Sequence, residues 1–355
     1  MKPTLIYIYP SYSTFIQKDI DFLSNQYAVI SPEQNWSNKK YIVFSFTSQF
    51  IFLIKNIVVS KAIIVMFAGY WSFFPALLGK LFGKPVYIIL GGTDCVSFPT
   101  MNYGSLRKPL LKIFIKWSLI LCKKAVPVHQ SLVYCNYSYF QPEIYKHQGY
   151  KYFFPNISTL HKVIYNGFDA QFFGDEQVKK THNSFVVIAS VPDLMRYKLK
   201  GVDIVLQLAK NFPACSFSII GMSLEVQEQL KPIPENVTIF PFMQQKDFKV
   251  FVNKHEFVLQ LSVSEGFPNA LCEAMLCKCI PIGSKVGAIP DIIGDTGYII
   301  EHAEIEHVKQ KIKTITELNS KERIELGEKA RNRVIAEFNI SKREKSFLEL
   351  LNEDH

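Results

Sequence analysis

Two carboxylates eight residues apart, Glu265 and Glu273, bracket the stretch of this chain richest in chemistry: Ser264-Glu265-Gly266-Phe267-Pro268-Asn269-Ala270-Leu271-Cys272-Glu273-Ala274-Met275. An apolar run, Phe257-Val258-Leu259-Gln260-Leu261, precedes it, and a helical pattern follows. Gly266 frees the backbone in between, and Asn269 is placed to cap the helix start through its side-chain oxygen. A strand–loop–helix junction offers unpaired backbone N–H groups and a positive helix end to an anion. The carboxylates can accept hydrogen bonds from hydroxyls. Together these groups form a cradle for a sugar carried on a nucleoside diphosphate.

Breaking the bond between an anomeric carbon and a phosphate oxygen builds negative charge on the departing diphosphate. A preorganised cation there lowers the barrier, and losing one donor in comparable sites costs about 10²–10³ in rate. Arg196 and Lys200 are the candidates, in Met195-Arg196-Tyr197-Lys198-Leu199-Lys200-Gly201. They lie between an expected strand, Phe185–Ala189, and an expected helix, Val202–Lys210. The bland alternative is a pair of surface loop cations.

The Glu265 to Met275 segment resembles the Glu-x7-Glu motif of the retaining, GT-B-fold glycosyltransferases of family 4. Cys279-Ile280-Pro281-Ile282-Gly283-Ser284-Lys285-Val286-Gly287-Ala288-Ile289-Pro290-Asp291-Ile292-Ile293 resembles the family's next strand, Gly turn and helix. Val163-Ile164-Tyr165-Asn166-Gly167-Phe168-Asp169 is similar to its interdomain segment, and Lys200-Gly201-Val202-Asp203 to the opening of its first nucleotide-domain helix. The resemblance implies that Glu265 faces hydroxyls of the transferred sugar and Glu273 those of the ribose. It implies that backbone N–H groups of Gly266, Phe267, Asn269, Ala270 and Leu271 approach sugar and phosphate. Gly221 would allow close donor approach, and the loop bearing Phe242 and Met243 would meet the base. Arg196 and Lys200 would grip the diphosphate, making a metal unnecessary, so no metal or cofactor is expected. Arg196 sits closer to the Lys than is usual in the family, which makes Lys200 the safer assignment. Retention of configuration is a further implication, with the leaving phosphate oxygen taking the acceptor's proton.

The first half departs from the commonest family pattern. Tyr9-Pro10-Ser11-Tyr12-Ser13-Thr14-Phe15 has no Gly-rich loop, and Gly91-Gly92-Thr93-Asp94 stands where many relatives carry a His. Asp94 is the candidate acceptor-side group; its structural alternative is a helix N-cap. His129 follows an expected strand, and a packed or surface role suits it better.

The elements that must position these groups alternate strand and helix. In the first half, Leu5–Tyr9, Tyr27–Ile30, Ala62–Phe67 and Pro85–Leu90 read as strands, with helices at Gln17–Asn25 and Trp71–Phe82. In the second, Phe185–Ala189, Phe217–Ile220, Val237–Phe240, Phe257–Leu261, Cys279–Ile282 and Tyr298–Ile300 read as strands. The expected fold is therefore α/β, GT-B, with two Rossmann-like doubly wound domains facing across a cleft. The expected domains are an acceptor-binding one over 1–168, a nucleotide-sugar-binding one over 169–340, and a C-terminal helix in 341–355 packing back on the first.

The chain of 355 residues has 48% hydrophobic and 20% charged residues, a globular composition with no solenoid repeat. No secretory signal is read at the start, and seven scattered Cys fit reduced thiols better than a disulfide framework. Cys272, Cys277 and Cys279 read as small buried residues rather than metal ligands. Residues 1–168 hold 17 Lys and Arg against 5 Asp and Glu, a balance of +12, whereas the remainder balances at −3. A basic half joined to a mildly acidic one points to an anionic partner for the first half. Ala62–Gly79 is uncharged over 18 residues, but Gly69 and Pro75 interrupt it, and strand–loop–helix accounts for it better than a membrane span. Leu106–Lys124 places Lys108, Lys112, Lys116 and Lys123 on one stripe beside an apolar face with Trp117, the pattern of an interfacial membrane helix. An ordinary solvated Lys stripe is the alternative.

The expected activity is transfer of a sugar from a nucleotide-diphosphate donor to a glycan or lipid-linked glycan, in bacterial surface polysaccharide assembly. The expected location is cytoplasmic, peripheral on the inner face of the membrane, with an anionic membrane surface as partner and no nucleic acid. A degenerate partner subunit and a GT-B nucleotide-sugar epimerase are the other readings. Against the second, no His set stands in matching positions.

Overall fold

The computed structural model describes residues 2–32, 34, 36, 39–174 and 178–353. The other residues of the expected domain ranges lie outside the described set. The chain divides into two compact units: Met1–Cys135, His147–Tyr165 and Ser341–His355 in the first, Asn136–Lys146 and Asn166–Ile340 in the second. The division falls at Tyr165 rather than after Phe168, and the short segment Asn136–Lys146 groups with the second unit.

The first unit is built on β1 (Thr4–Ile8), β2 (Ala28–Ile30), β3 (Ser60–Met66), β4 (Val86–Leu90), β5 (Lys124–Pro127) and β6 (Leu160–His161). They form one parallel sheet in the order β2-β1-β3-β4-β5-β6. Every residue of β4 is buried, as a parallel strand covered on both faces requires. Helices α1 (Thr14–Ser24), α2 (Ile42–Asn56), α3 (Tyr70–Leu81) and α4 (Pro109–Leu121) connect the strands. The uncharged run from Ala62 resolves into β3, a turn and α3. Among the described residues no helix is long and apolar enough to cross a membrane.

Helix α2 is absent from the sequence reading, and the reason is physical. Its buried stripe is Ser45, Gln49 and Leu53, while Val43 and Phe44 are 78% and 71% exposed. Two of its three buried residues are polar and apolar residues crowd the exposed side, against the pattern that marks a domain helix.

The helix Ile340–Asn352 belongs to the first unit from Ser341 onward. Its Arg343 donates from Nε and Nη2 to the two carboxylate oxygens of Asp19, at 2.7 Å each, and Tyr7 Oη donates to the same carboxylate at 3.0 Å. All three groups are buried, and burial together with Asp19 pushes the Tyr7 hydroxyl well above its ordinary pKa. Lys124 and Lys162 clasp Glu353 at 2.8 and 2.6 Å near the helix end.

The second unit carries β7 (Thr181–Val191), β8 (Ser216–Met222), β9 (Val237–Phe240), β10 (His255–Gln260), β11 (Ile280–Ser284) and β12 (Tyr298–Ile300). Its parallel sheet runs β9-β8-β7-β10-β11-β12. Phe217, Phe185 and Phe257 sit in register on three adjacent strands and stack with ring centroids 5.1 and 4.8 Å apart. This ladder pins the register, because a one-residue slip would send each ring to the opposite face. Strand order reverses between β7 and β10 here, and between β1 and β3 in the first sheet. In doubly wound sheets ligands bind beyond the strand C-termini at such a switch point.

Candidate active site

The second unit's switch point gathers the key residues. After β7 the chain makes a short helix, Leu194–Leu199, started by the Asp193 carboxylate, which accepts from the Arg196 amide at 2.8 Å. Lys200 follows, and Gly201 turns the chain at φ +68° into helix Val202–Asn211. Only glycine fits that turn: a Cβ would stand 2.2 Å from the Leu261 carbonyl oxygen. The backbone after β10 packs directly against it, with the Val263 amide donating to the Leu199 carbonyl at 2.8 Å. This close approach brings Lys200 and Glu265 together across 65 residues of sequence.

Lys200 Nζ donates to Glu265 Oε1 at 2.6 Å, with side chains 18% and 12% exposed. Gln260 Nε2 donates to the same oxygen at 3.1 Å and to Ser262 Oγ at 2.8 Å. Gln260 has no assigned role in the sequence reading, although a polar residue in the run Phe-Val-Leu-Gln-Leu was the available signal. Gly287, at φ +56°, closes the other side of the loop: a Cβ there would lie 2.0 Å from the Glu265 carbonyl oxygen. The Glu265 loop is thus held between two glycine turns and an ion pair.

Helix Asn269–Leu276 begins beside it. The expected cap by Asn269 does not form: Pro268 occupies the N-cap position, and Asn269 Oδ1 accepts from Asn166 Nδ2 at 2.8 Å. The Leu271 amide donates to the Pro268 carbonyl at 3.1 Å, which removes it from the set of N–H groups expected to meet a ligand. Asn269 and Ala270, in the first turn, have no acceptor one helical turn back, so their N–H groups stay candidates for that contact. Gly266 is buried and its carbonyl accepts from the Ala288 amide at 3.3 Å. Phe267 contributes backbone only, since its ring packs between Phe168 and Phe338 with centroids 6.3 and 5.3 Å away. Glu273 is half-buried one turn into the helix, with Gln245 Nε2 3.5 Å from its Oε1.

Arg196 is half-buried one turn before Lys200, whose amide donates to the Arg196 carbonyl at 2.9 Å. Gly221 lies inside β8 at φ +96°, where a Cβ would come 2.6 Å from the Ala189 carbonyl oxygen. The Gly therefore lets two strand ends approach. Phe242 is exposed and Met243 half-buried in the loop after β9.

The first-unit candidates behave differently. Asp94 is buried, and its carboxylate accepts from the amides of Ala68 (3.0 Å), Gly92 (2.9 Å) and Gly91 (3.1 Å). Burial raises its pKa against the pull of those amides. Asp94 thereby ties the loops after β3 and β4 together, while the acceptor-side role expected of it stays a proposal. His129 is buried as well; its Nδ1 accepts from the Ser131 amide at 3.2 Å, and its ring stacks on Tyr165. Lys108 is the N-cap of α4 rather than part of it, and Lys112 lies over the Phe153 and Phe154 rings at 5.5 and 5.7 Å. Of the expected stripe, Lys108, Lys116 and Lys123 are exposed, Lys123 lying beyond the end of α4.

Cys272, Cys277 and Cys279 are buried, and burial pushes each thiol up, so they act as small packing residues. Among the described residues, no three His, Cys, Asp or Glu side chains are grouped to hold a metal ion.

Residues 175–333 match the family model described as Glycosyl transferases group 1. That stretch is a glycosyltransferase group 1 domain, an enzyme domain of the transferase class, and it holds Lys200, Glu265 and Glu273. The chain is also similar to an N-acetyl-alpha-D-glucosaminyl L-malate synthase of Bacillus anthracis, at 33% identity over 105 residues. That match spans 28% of this chain and 27% of the relative. Among solved structures, the sucrose-phosphate synthase of Thermosynechococcus elongatus resembles it with a TM-score of 0.73 at 12% identity, covering 99% of both chains. HepE of Anabaena, solved in complex with UDP, gives a TM-score of 0.72 at 14% identity, covering 99% of this chain and 100% of that one. Likeness of this extent at such identities fixes the fold: α/β, GT-B in type, with two Rossmann-like parallel-sheet units.

Proposed function

We propose that the chain is a retaining glycosyltransferase of family 4 that takes a sugar from a nucleoside-diphosphate donor without a metal. The observation that carries the reading is the Lys200–Glu265 contact at the switch point of a glycosyltransferase group 1 domain. Lys200 has three N–H groups, so it can donate to a diphosphate oxygen while still holding Glu265. Glu265, fixed by Lys200 and Gln260, keeps lone pairs for sugar hydroxyls. Arg196 adds a second cation one turn away, and the first-turn amides of Asn269 and Ala270 add N–H dipoles. Glu273 stands ready for the ribose hydroxyls, and the Phe242–Met243 loop for the base.

In the transfer, the bond from the anomeric carbon to the phosphate oxygen breaks and a bond to the acceptor oxygen forms on the same face. The acceptor's proton passes to the leaving phosphate oxygen. Lys200 and Arg196 stabilise the charge that grows there. The acceptor is a glycan or lipid-linked glycan of bacterial surface polysaccharide, with the enzyme working at the cytoplasmic face. UDP is the first base to test, given the UDP bound by HepE. A UDP-sugar panel with lipid-linked acceptors should release UDP and give a product of the donor's anomeric configuration, read by NMR. An inverted product would overturn retention, and release that needs added Mg²⁺ would overturn the metal-free mechanism. The partner-subunit reading predicts nucleotide binding with no release.

A further inference from the structure

In the first unit, α2 turns its apolar side outward. Ser45 and Gln49 fill the buried stripe, and Gln49 Nε2 donates to the Trp71 carbonyl at 3.0 Å. Val43, Phe44, Phe50, Ile51 and Ile54 are exposed. Helix α4, whose buried side is also apolar, exposes Leu110, Ile113, Trp117 and Ile120, spaced three or four residues apart on one face. The helices share a layer: Phe46 of α2 meets Phe74 of α3 and Phe114 of α4, with ring centroids 5.5 and 5.9 Å away. Exposed residues continue the apolar surface past the end of α2 (Val58, Val59) and at the end of α3 (Leu81, Phe82). Lys84 Nζ joins those ends by donating to the Val58 carbonyl at 2.8 Å. Scattered apolar residues need no explanation, but two whole helix faces of them mark an interaction surface.

The charge around this surface names the occupant. From residue 34 to 142 the chain has 12 Lys and Arg and a single acidic residue, Asp94. Asp94 is buried with its carboxylate bound to three amides, so no acidic side chain from this stretch reaches the surface. Lys55, Lys80, Lys108 and Lys116 are exposed on these helices or at their ends. A second copy of the same face would set lysine against lysine with no carboxylate to pair them. An anionic bilayer offers both what the apolar side chains need and what the lysines need. At 15 residues α2 is only about 22 Å long, short of the roughly 30 Å hydrocarbon core, so it lies in the interface and does not cross it.

We infer that the α2–α4 face of the first unit docks on an anionic lipid surface, with the apolar stripes in the acyl boundary and the lysines at the headgroups. The sequence reading placed membrane contact on the α4 lysines; the surface is wider and mainly apolar, extending onto α2. The inference does not rest on the donor-site reading, because partition is measured without substrate.

The chain has three Trp, and Trp117 is the exposed one: Trp36 is buried, and Trp71 Nε1 donates to the Met66 and Phe67 carbonyls. Mixed with phosphatidylglycerol-containing vesicles, the full chain should co-sediment, and its Trp emission should shift to the blue and be quenched by brominated acyl chains. W117F should remove the quenching while co-sedimentation persists. A Phe44→Ser, Ile51→Ser, Trp117→Ser variant should lower partition by at least about tenfold, a difference of 1.4 kcal/mol. An unchanged melting curve would show that it folds. Lys55→Gln with Lys116→Gln should lower partition several-fold at low salt and less at high salt. No partition of the unaltered chain, or undiminished partition of the folded triple variant, would overturn the inference. So would a dimer in light scattering that the triple variant dissolves, because a second copy would then cover the face.

Discussion

The two units use one architecture to opposite ends. Each is a six-stranded parallel sheet with a switch point, but the second unit concentrates its chemistry at the loops and the first at a helix layer. In the second unit, the loops after β7 and β10 are held by Gly201, Gly287 and the Lys200–Glu265 contact. Charges in place before a ligand arrives need little reorganisation when it binds. In the first unit, the loops after β3 and β4 are tied by a carboxylate whose partners are backbone amides. Its surface has apolar residues on the outside, and the first 168 residues hold the chain's whole excess of positive charge. A fixed polar site suits a small anionic donor, and a broad apolar and basic face suits an extended surface. Under the two proposals above, small-ligand chemistry falls to one unit and anchoring to the other.

The largest effect expected falls on the first unit's core. Asp19→Ala leaves Arg343 buried without its counter-charge and should cost about 3–5 kcal/mol in chemical denaturation. A loss below 1 kcal/mol would show that the C-terminal helix is not anchored through this pair. In the second unit, Lys200→Ala should slow transfer by about 10²–10³-fold and weaken nucleotide-diphosphate binding, read by calorimetry. Unchanged donor affinity would move the diphosphate site elsewhere.

Asp94→Ala sharpens the contrast between the two sets of loops. It orphans three amides and should cost about 1–3 kcal/mol of stability. It should also reduce transfer while donor affinity stays the same, and a loss of donor affinity would break the separation of roles. The smallest effect concerns pH. Hydrogen bonds from Lys124 and Lys162 lower the Glu353 pKa from 4.5 to about 2. Its contribution is therefore fully present above the unfolded value and lost as pH falls through about 2. Glu353 is largely exposed, so solvent screening leaves roughly 0.5 kcal/mol or less. Glu353→Gln should flatten the acid limb of the stability curve by that amount, and a stability curve identical to the parent's across that limb would show the clasp to be idle.

Most of the second unit was legible in the sequence, because its strands are apolar runs and its motif residues lie at the junctions. Lys200 and Glu265 were each singled out by a motif resemblance, but their pairing was not, and the reason they meet, the contact of Gly201 with Leu261, is tertiary. The Asn269 cap was misread because a residue's capping preference says nothing of a partner such as Asn166, distant in sequence. Asp94 was recognised as special, but a carboxylate that binds amides and one that faces a substrate look alike in a string of letters. Helix α2 was missed for the opposite reason: periodicity finds helices by an apolar inward face, and here that face carries Ser45 and Gln49.

The central claim is a working donor site in the second unit. Thermal stability of the full chain should be measured with UDP, GDP, ADP, CMP and dTDP, alongside Lys200→Ala. One nucleotide, at about 100 times its dissociation constant, should stabilise the parent chain by about 2.7 kcal/mol, and the variant should lose that shift. A parent chain unmoved by all five, or a variant shifted as fully as the parent, would contradict the account.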